Sequence, residues 1–207
     1  MLAEGPVDFA ARSQRGRTIF GRAVEHAAGY EAREASLEIV RMLLAAGATP
    51  IPNAIAPEFS QGELDSHLLV AYVFGGNYTN TLPLLDRLLA AGADPNTRNY
   101  EGQPLYFSTY SSRPKLEVLA RHGADFTAPD TTRTDRPGWT AAMFAALMGD
   151  WDSVLFLLDH GVKADHVAED GNSLRKIIAT TKREGESDPS LDVVARQINA
   201  SATRPKR

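Results

Sequence analysis

Apolar residues recur along this chain at helical spacing and end on glycine. In Leu37-Glu38-Ile39-Val40-Arg41-Met42-Leu43-Leu44 the apolar side chains fall on one side of a 3.6-residue turn, and the charged ones face elsewhere. The stretch closes as Leu43-Leu44-Ala45-Ala46-Gly47, and the same phrase returns as Leu88-Leu89-Ala90-Ala91-Gly92 and Leu157-Leu158-Asp159-His160-Gly161. Val118-Leu119-Ala120-Arg121-His122-Gly123 is a weaker fourth copy. Each copy predicts a helix stopped by a glycine in the left-handed conformation. A shorter, alanine-rich helix is expected before each. The clearest is Thr140-Ala141-Ala142-Met143-Phe144-Ala145-Ala146-Leu147, with Thr140 as its cap and small residues that permit close packing.

The closing glycines lie 45 (47 to 92), 31 (92 to 123) and 38 (123 to 161) residues apart. These spacings scatter around a period of about 33, and the motifs within them are specific. Gly92-Ala93-Asp94-Pro95-Asn96 resembles the turn that follows the second helix of an ankyrin repeat, and Gly123-Ala124-Asp125 repeats it. Gly138-Trp139-Thr140-Ala141-Ala142, Gly16-Arg17-Thr18-Ile19-Phe20 and Gly102-Gln103-Pro104-Leu105-Tyr106 are similar to the Gly-x-Thr-Pro-Leu opening of such a repeat.

The resemblance implies an all-α fold, an ankyrin-repeat solenoid of helix-turn-helix units with β-turn and hairpin-like loops. The units expected are 16–61, 62–99, 100–135, 136–168 and 169–199, after an incomplete repeat or N-terminal cap at 1–15 and before a frayed tail at 200–207. Leu2-Ala3-Glu4-Gly5 with Val7-Asp8-Phe9 resembles the close of a repeat, which fits either a longer array or a natural cap.

Departures from the pattern carry expectations too. Gly21, Tyr106 and Met143 stand where the family has a histidine, so its hydrogen bonds between loops are expected to be missing there. Additional residues are expected in loops around Gly29–Glu34 and Gly75–Asn80, with a shortening at Tyr110–Pro114.

Composition narrows the chemistry. A hydrophobic content of 43% in 207 residues supports a continuous core, and a net charge of -4 offers no attraction to phosphate backbones. Cysteine is absent, which excludes disulfides and thiolate chemistry. No apolar run reaches membrane-spanning length, and no basic and apolar leader follows Met1, so a cytoplasmic monomer is expected, with neither membrane nor nucleic acid as partner. A Gly-x-Ser-x-Gly elbow, a Gly-x-x-x-x-Gly-Lys loop and a Gly-x-Gly-x-x-Gly turn are all missing, and no catalytic residue and no cofactor are predicted. The densest polar cluster is His160, Asp165, His166, Glu169 and Asp170. Metal ligation is one reading of it; the other, favoured by the register, places these residues in separate turns.

A protein partner is therefore expected, with a bacterial immunity or inhibitor protein against a toxin or enzyme as a narrower version. The alternative is a targeting fragment of a larger enzyme or effector. By the resemblance, the contact positions flank each opening glycine: Tyr100, Glu101 and Gln103; Arg136, Pro137 and Trp139; Glu169, Asp170 and Asn172. Arg133 joins them from the long stretch Ala128–Pro137, expected to project, and Tyr110 is even between contact and packing. Trp139 is read either as an anchor beside Tyr100 or as partly buried against Tyr106 or the next turn. Trp151 is assigned to the core.

Overall fold

The structure, a computed structural model, describes residues 18–28, 34–48, 82–98, 102–108, 112–185 and 188–202, with single positions at 8, 9, 11 and 13. Tyr100, Glu101, Tyr110, the insertions around 29–33 and 75–80, residues 1–7 and the tail from 203 lie outside the described residues. Among the described residues there are eight α-helices, one 3-10 turn and no strand, so the fold class is all-α. No helix among them is long and apolar enough to cross a membrane. The chain divides into two compact units, Met1–Tyr100 and Glu101–Arg207.

In the first unit, α1 (Ile19–Ala28) packs on α2 (Glu34–Ala45), and α3 (Leu82–Ala90) follows. Helix α1 buries Phe20, Val24 and Ala27, a spacing that keeps all three on one face. Thr18 holds its start, its Oγ1 accepting from the Gly21 amide at 3.0 Å. Helix α3 turns Leu84, Leu85, Leu88 and Leu89 inward.

The second unit has two rows. The 3-10 turn Leu105–Ser108, α5 (Ala141–Leu147) and α7 (Leu174–Arg183) alternate in sequence with α4 (Arg113–Arg121), α6 (Trp151–Asp159) and α8 (Pro189–Ala202). Helix α4 packs on α6 and α6 on α8, while α5 packs on α7; the rows are joined where α5 meets α6 and α7 meets α8. Ala141, Ala142, Ala145 and Ala146 are all buried, and their small side chains let the neighbouring helices approach α5 closely. Phe107 meets Phe144 edge-on at 5.8 Å, and Phe126 meets Phe156 in the same way, so ring contacts carry the core along the rows. Trp151 is in the core at 1% exposure. Helix α8 buries Leu191, Val194 and Ile198 and exposes Asp192 and Arg196.

All four leucine phrases end their helices in one geometry. At the close of α4, the Gly123 amide donates to the Ala120 carbonyl and the Ala124 amide reaches back to the Leu119 carbonyl at 3.1 Å. The pair of bonds satisfies carbonyls that the helix end leaves open, and it requires φ +85° at Gly123, which glycine adopts without steric cost. The same pair recurs at Gly47, Gly92 and Gly161. Equal local sequence has produced equal helix ends.

Candidate interaction surface

The turns of the second unit begin where a short polar side chain can hold the backbone. Asp125 accepts from the amide and hydroxyl of Thr127, which holds its carboxyl below the usual carboxylate range. Asp130 repeats the device with Thr132: its Oδ1 accepts from the Thr132 amide at 2.9 Å and from the hydroxyl at 2.7 Å. Its Oδ2 accepts from Gln103 Nε2, 27 residues earlier. The backbone of Asp130 bridges Trp139 in antiparallel fashion, with Asp130 N to Trp139 O at 2.8 Å and Gly138 N to Asp130 O at 2.7 Å. Asp130 is wholly buried. The carboxylate thus ties Gln103 to the Asp130–Thr132 turn, while the Asp130 backbone pairs with Gly138 and Trp139.

Bonds also run from turn to turn. The Glu169 amide donates to the Pro137 carbonyl at 3.2 Å, and His166 donates from Nε2 to the Gly138 carbonyl at 2.7 Å. Trp139 donates from Nε1 to Asp170 Oδ2 at 2.8 Å. The Tyr106 hydroxyl donates to the Ala128 carbonyl at 2.9 Å. This last bond corrects an expectation, because Tyr106, where the resemblance implies a histidine and a lost bond, nevertheless supplies a bond between loops. The phenol is long enough to reach a carbonyl 22 residues on.

Several expected contact residues lie together on this surface. Arg133, exposed, and Arg136, half-buried, lie on the loop closed by the Asp130–Trp139 bridge, and Glu169, Asp170 and Asn172 sit on the next turn, which the Val167–Ser173 bridge closes. Glu169 and Asp170 are exposed; Asn172 is half-buried, its amide and side chain both donating to Asp170. Those bonds, the Asn172 side chain foremost, hold the Asp170 carboxyl low. Gln103 is half-buried and turned to Asp130.

Trp139 is a correction. At 5% exposure its ring offers no apolar area to a partner. The indole lies 5.2 Å from the Phe144 ring, with the Arg136 guanidinium 5.3 Å from its own centroid, and its N–H is taken by Asp170. The ring supports the turn instead of anchoring a ligand. The expectation of packing against Tyr106 or the next turn is closer, Phe144 and Asp170 being the observed partners.

The His160 to Asp170 cluster is dispersed. His160, the residue after α6, donates from Nδ1 to the Phe156 carbonyl at 2.8 Å and stacks on the Phe156 ring at 3.9 Å, while His166 serves the Gly138 carbonyl. Among the described residues no three histidine, aspartate or glutamate side chains converge as a metal site would need.

Models of known protein families match nowhere on the sequence, and no curated protein matches it.

Two features of that surface were not singled out in sequence. Leu147 and Met148, at the end of α5, are 42% and 57% exposed, although an apolar pair ending a helix reads as core. Leu147 borders a groove between α5 and α7 lined also by Ala146, Lys176, Ile177 and Glu184 among others. Asp130 was legible only as part of a long loop; its signal is the Asp-x-Thr spacing that Asp125 and Thr127 also show.

Proposed function

We propose that this chain is a divergent ankyrin-repeat module that holds a partner protein and carries out no chemistry itself. The four identical helix closures and the two alternating rows of the second unit support the repeat reading. The observation that carries the function is the division of labour in its turns. The Glu169 amide donates to Pro137 of the preceding turn, and the side chains of His166 and Tyr106 donate to the Gly138 and Ala128 carbonyls, while Thr131, Arg133, Thr134, Asp135, Glu169 and Asp170 are exposed. A surface whose polar side chains stand on turns tied to their neighbours in this way loses little backbone freedom on binding. The groove beside Leu147 extends it with apolar area on the α5 and α7 side.

Affinity capture from the source cells tests the reading, with wild type beside an Arg136→Ala, Glu169→Ala double variant. Retention of one stoichiometric protein by wild type and its loss from the variant is the expected result. Inhibition of that protein's own activity by the chain would identify a blocker of one enzyme or toxin. Equal recovery on both baits, or turnover of a substrate by the purified chain, would overturn the reading.

A further inference from the structure

The loop between Asp130 and Trp139 holds eight residues (131–138), against five (168–172) between the corresponding bridge partners Val167 and Ser173. Its tip presents two guanidiniums to one carboxylate. Arg133 donates from Nε and a terminal nitrogen to both Asp135 oxygens, each at 3.0 Å, and Arg136 donates to Asp135 Oδ2 at 2.8 Å. Each guanidinium also lies over an aromatic ring, Arg133 at 5.4 Å from Phe144 and Arg136 at 5.3 Å from Trp139. Those rings belong to the core, so they hold the planar groups in place before any ligand arrives. Beside them opens a polar trough lined by Gln103, Thr131, Thr132, Arg133, Thr134 and Asp135.

We propose that Arg133 and Arg136 form a carboxylate-recognition fork for an acidic segment of the partner protein, and that Asp135 is an internal stand-in which the partner's carboxylate displaces. This deepens the binding-module reading and rests on it. The two-pronged bond from Arg133 is the geometry with which arginine selects carboxylates. Asp135 is about half exposed, and an exposed ion pair is held only weakly, so an incoming carboxylate meets a small barrier to exchange. The arginines' bonds hold the Asp135 carboxyl ionised and ready to act as competitor. Glu169 and Asp170, on the turn bonded to Pro137, stand against a densely charged polyanion and favour separated carboxylates on a protein surface.

The test uses the full chain and a peptide with three glutamates spaced by glycines. Its glutamine counterpart and inorganic phosphate are the control probes, and the Nε–H resonances of Arg133 and Arg136 are followed by NMR. The glutamate peptide is expected to shift both resonances, with its glutamine counterpart silent and phosphate much weaker. Asp135→Asn is expected to bind the glutamate peptide about two- to five-fold tighter, since it removes a weakly held competitor. An Arg133→Gln, Arg136→Gln variant with unchanged helical circular dichroism and melting temperature should lose binding, and Arg133→Lys, which keeps the charge without the fork, should be weakened. Unimproved binding by Asp135→Asn, retained binding by the double glutamine variant, or phosphate binding as tightly as the peptide would each overturn the fork. Capture of the natural partner by the double glutamine variant, with loss on Lys176→Glu in the α5 and α7 groove, would remove the fork and leave the module.

Discussion

Replacing Asp130 with alanine probes the joint on which the exposed loop depends. The carboxylate is wholly buried and accepts from Gln103 Nε2, the Thr132 amide and the Thr132 hydroxyl. Hydrogen bonds to a charged acceptor contribute about 1.5–3 kcal/mol each. The sum of three overstates the loss, because Gln103 and Thr132 are half-buried and regain water, and because alanine removes the cost of burying a charge. A net loss of about 2–3 kcal/mol is expected, and with it a fall of roughly 5–10 °C in melting temperature. Urea denaturation monitored by tryptophan fluorescence measures it, and a double-mutant cycle with Gln103→Ala should return a coupling of about 1 kcal/mol. Amide exchange at Thr132 should accelerate while that at Leu157 in α6 holds. A loss under about 0.5 kcal/mol, or zero coupling to Gln103, would refute the claim that this side chain joins the loops.

Further outcomes follow from single groups. Burial lowers the Lys115 ammonium from its usual value of 10.5 to about 8, and the residue is 2% exposed. Between those values the unfolded chain holds the proton and the folded chain does not, so stability should rise with pH from 8 to 10.5, by on the order of 1–3 kcal/mol, and Lys115→Met should flatten that rise in urea titrations. Tyr106→Phe removes the donor to the Ala128 carbonyl and should cost about 1 kcal/mol by the same assay, with no change in the ring contacts. Gly123→Ala and Gly138→Ala each place a side chain at positive φ, and Gly123→Ala should lose about 1 kcal/mol. The Gly138 variant should lose more, because its Cβ would stand 3.4 Å from the Glu169 backbone nitrogen while Gly123 faces open space; melting curves compare them.

The helix ends were determined locally. A leucine pair followed by two residues and a glycine specifies both the apolar face and the left-handed stop within one turn of chain, so the closures at Gly47, Gly92 and Gly161 were legible in sequence, and that at Gly123 through its weaker Leu119-Ala120 copy. The caps at Thr140 and Ser173 are equally local, since hydroxyl and amide lie three residues apart. The family resemblance also directed attention to the turns carrying Arg133, Arg136, Glu169 and Asp170.

What tertiary structure decided is the fate of each long side chain on those turns. Trp139 has the composition of an anchor, yet Phe144 lies beneath it and Asp170, 31 residues away, takes its N–H. Gln103 has the position of a contact residue, yet it is drawn to Asp130. Tyr106 restores a bond that its departure from the family residue implied was lost. A helix end is set by neighbours within six residues, whereas the burial of a side chain depends on which distant loop reaches it first, and only the packed rows of helices bring those loops together.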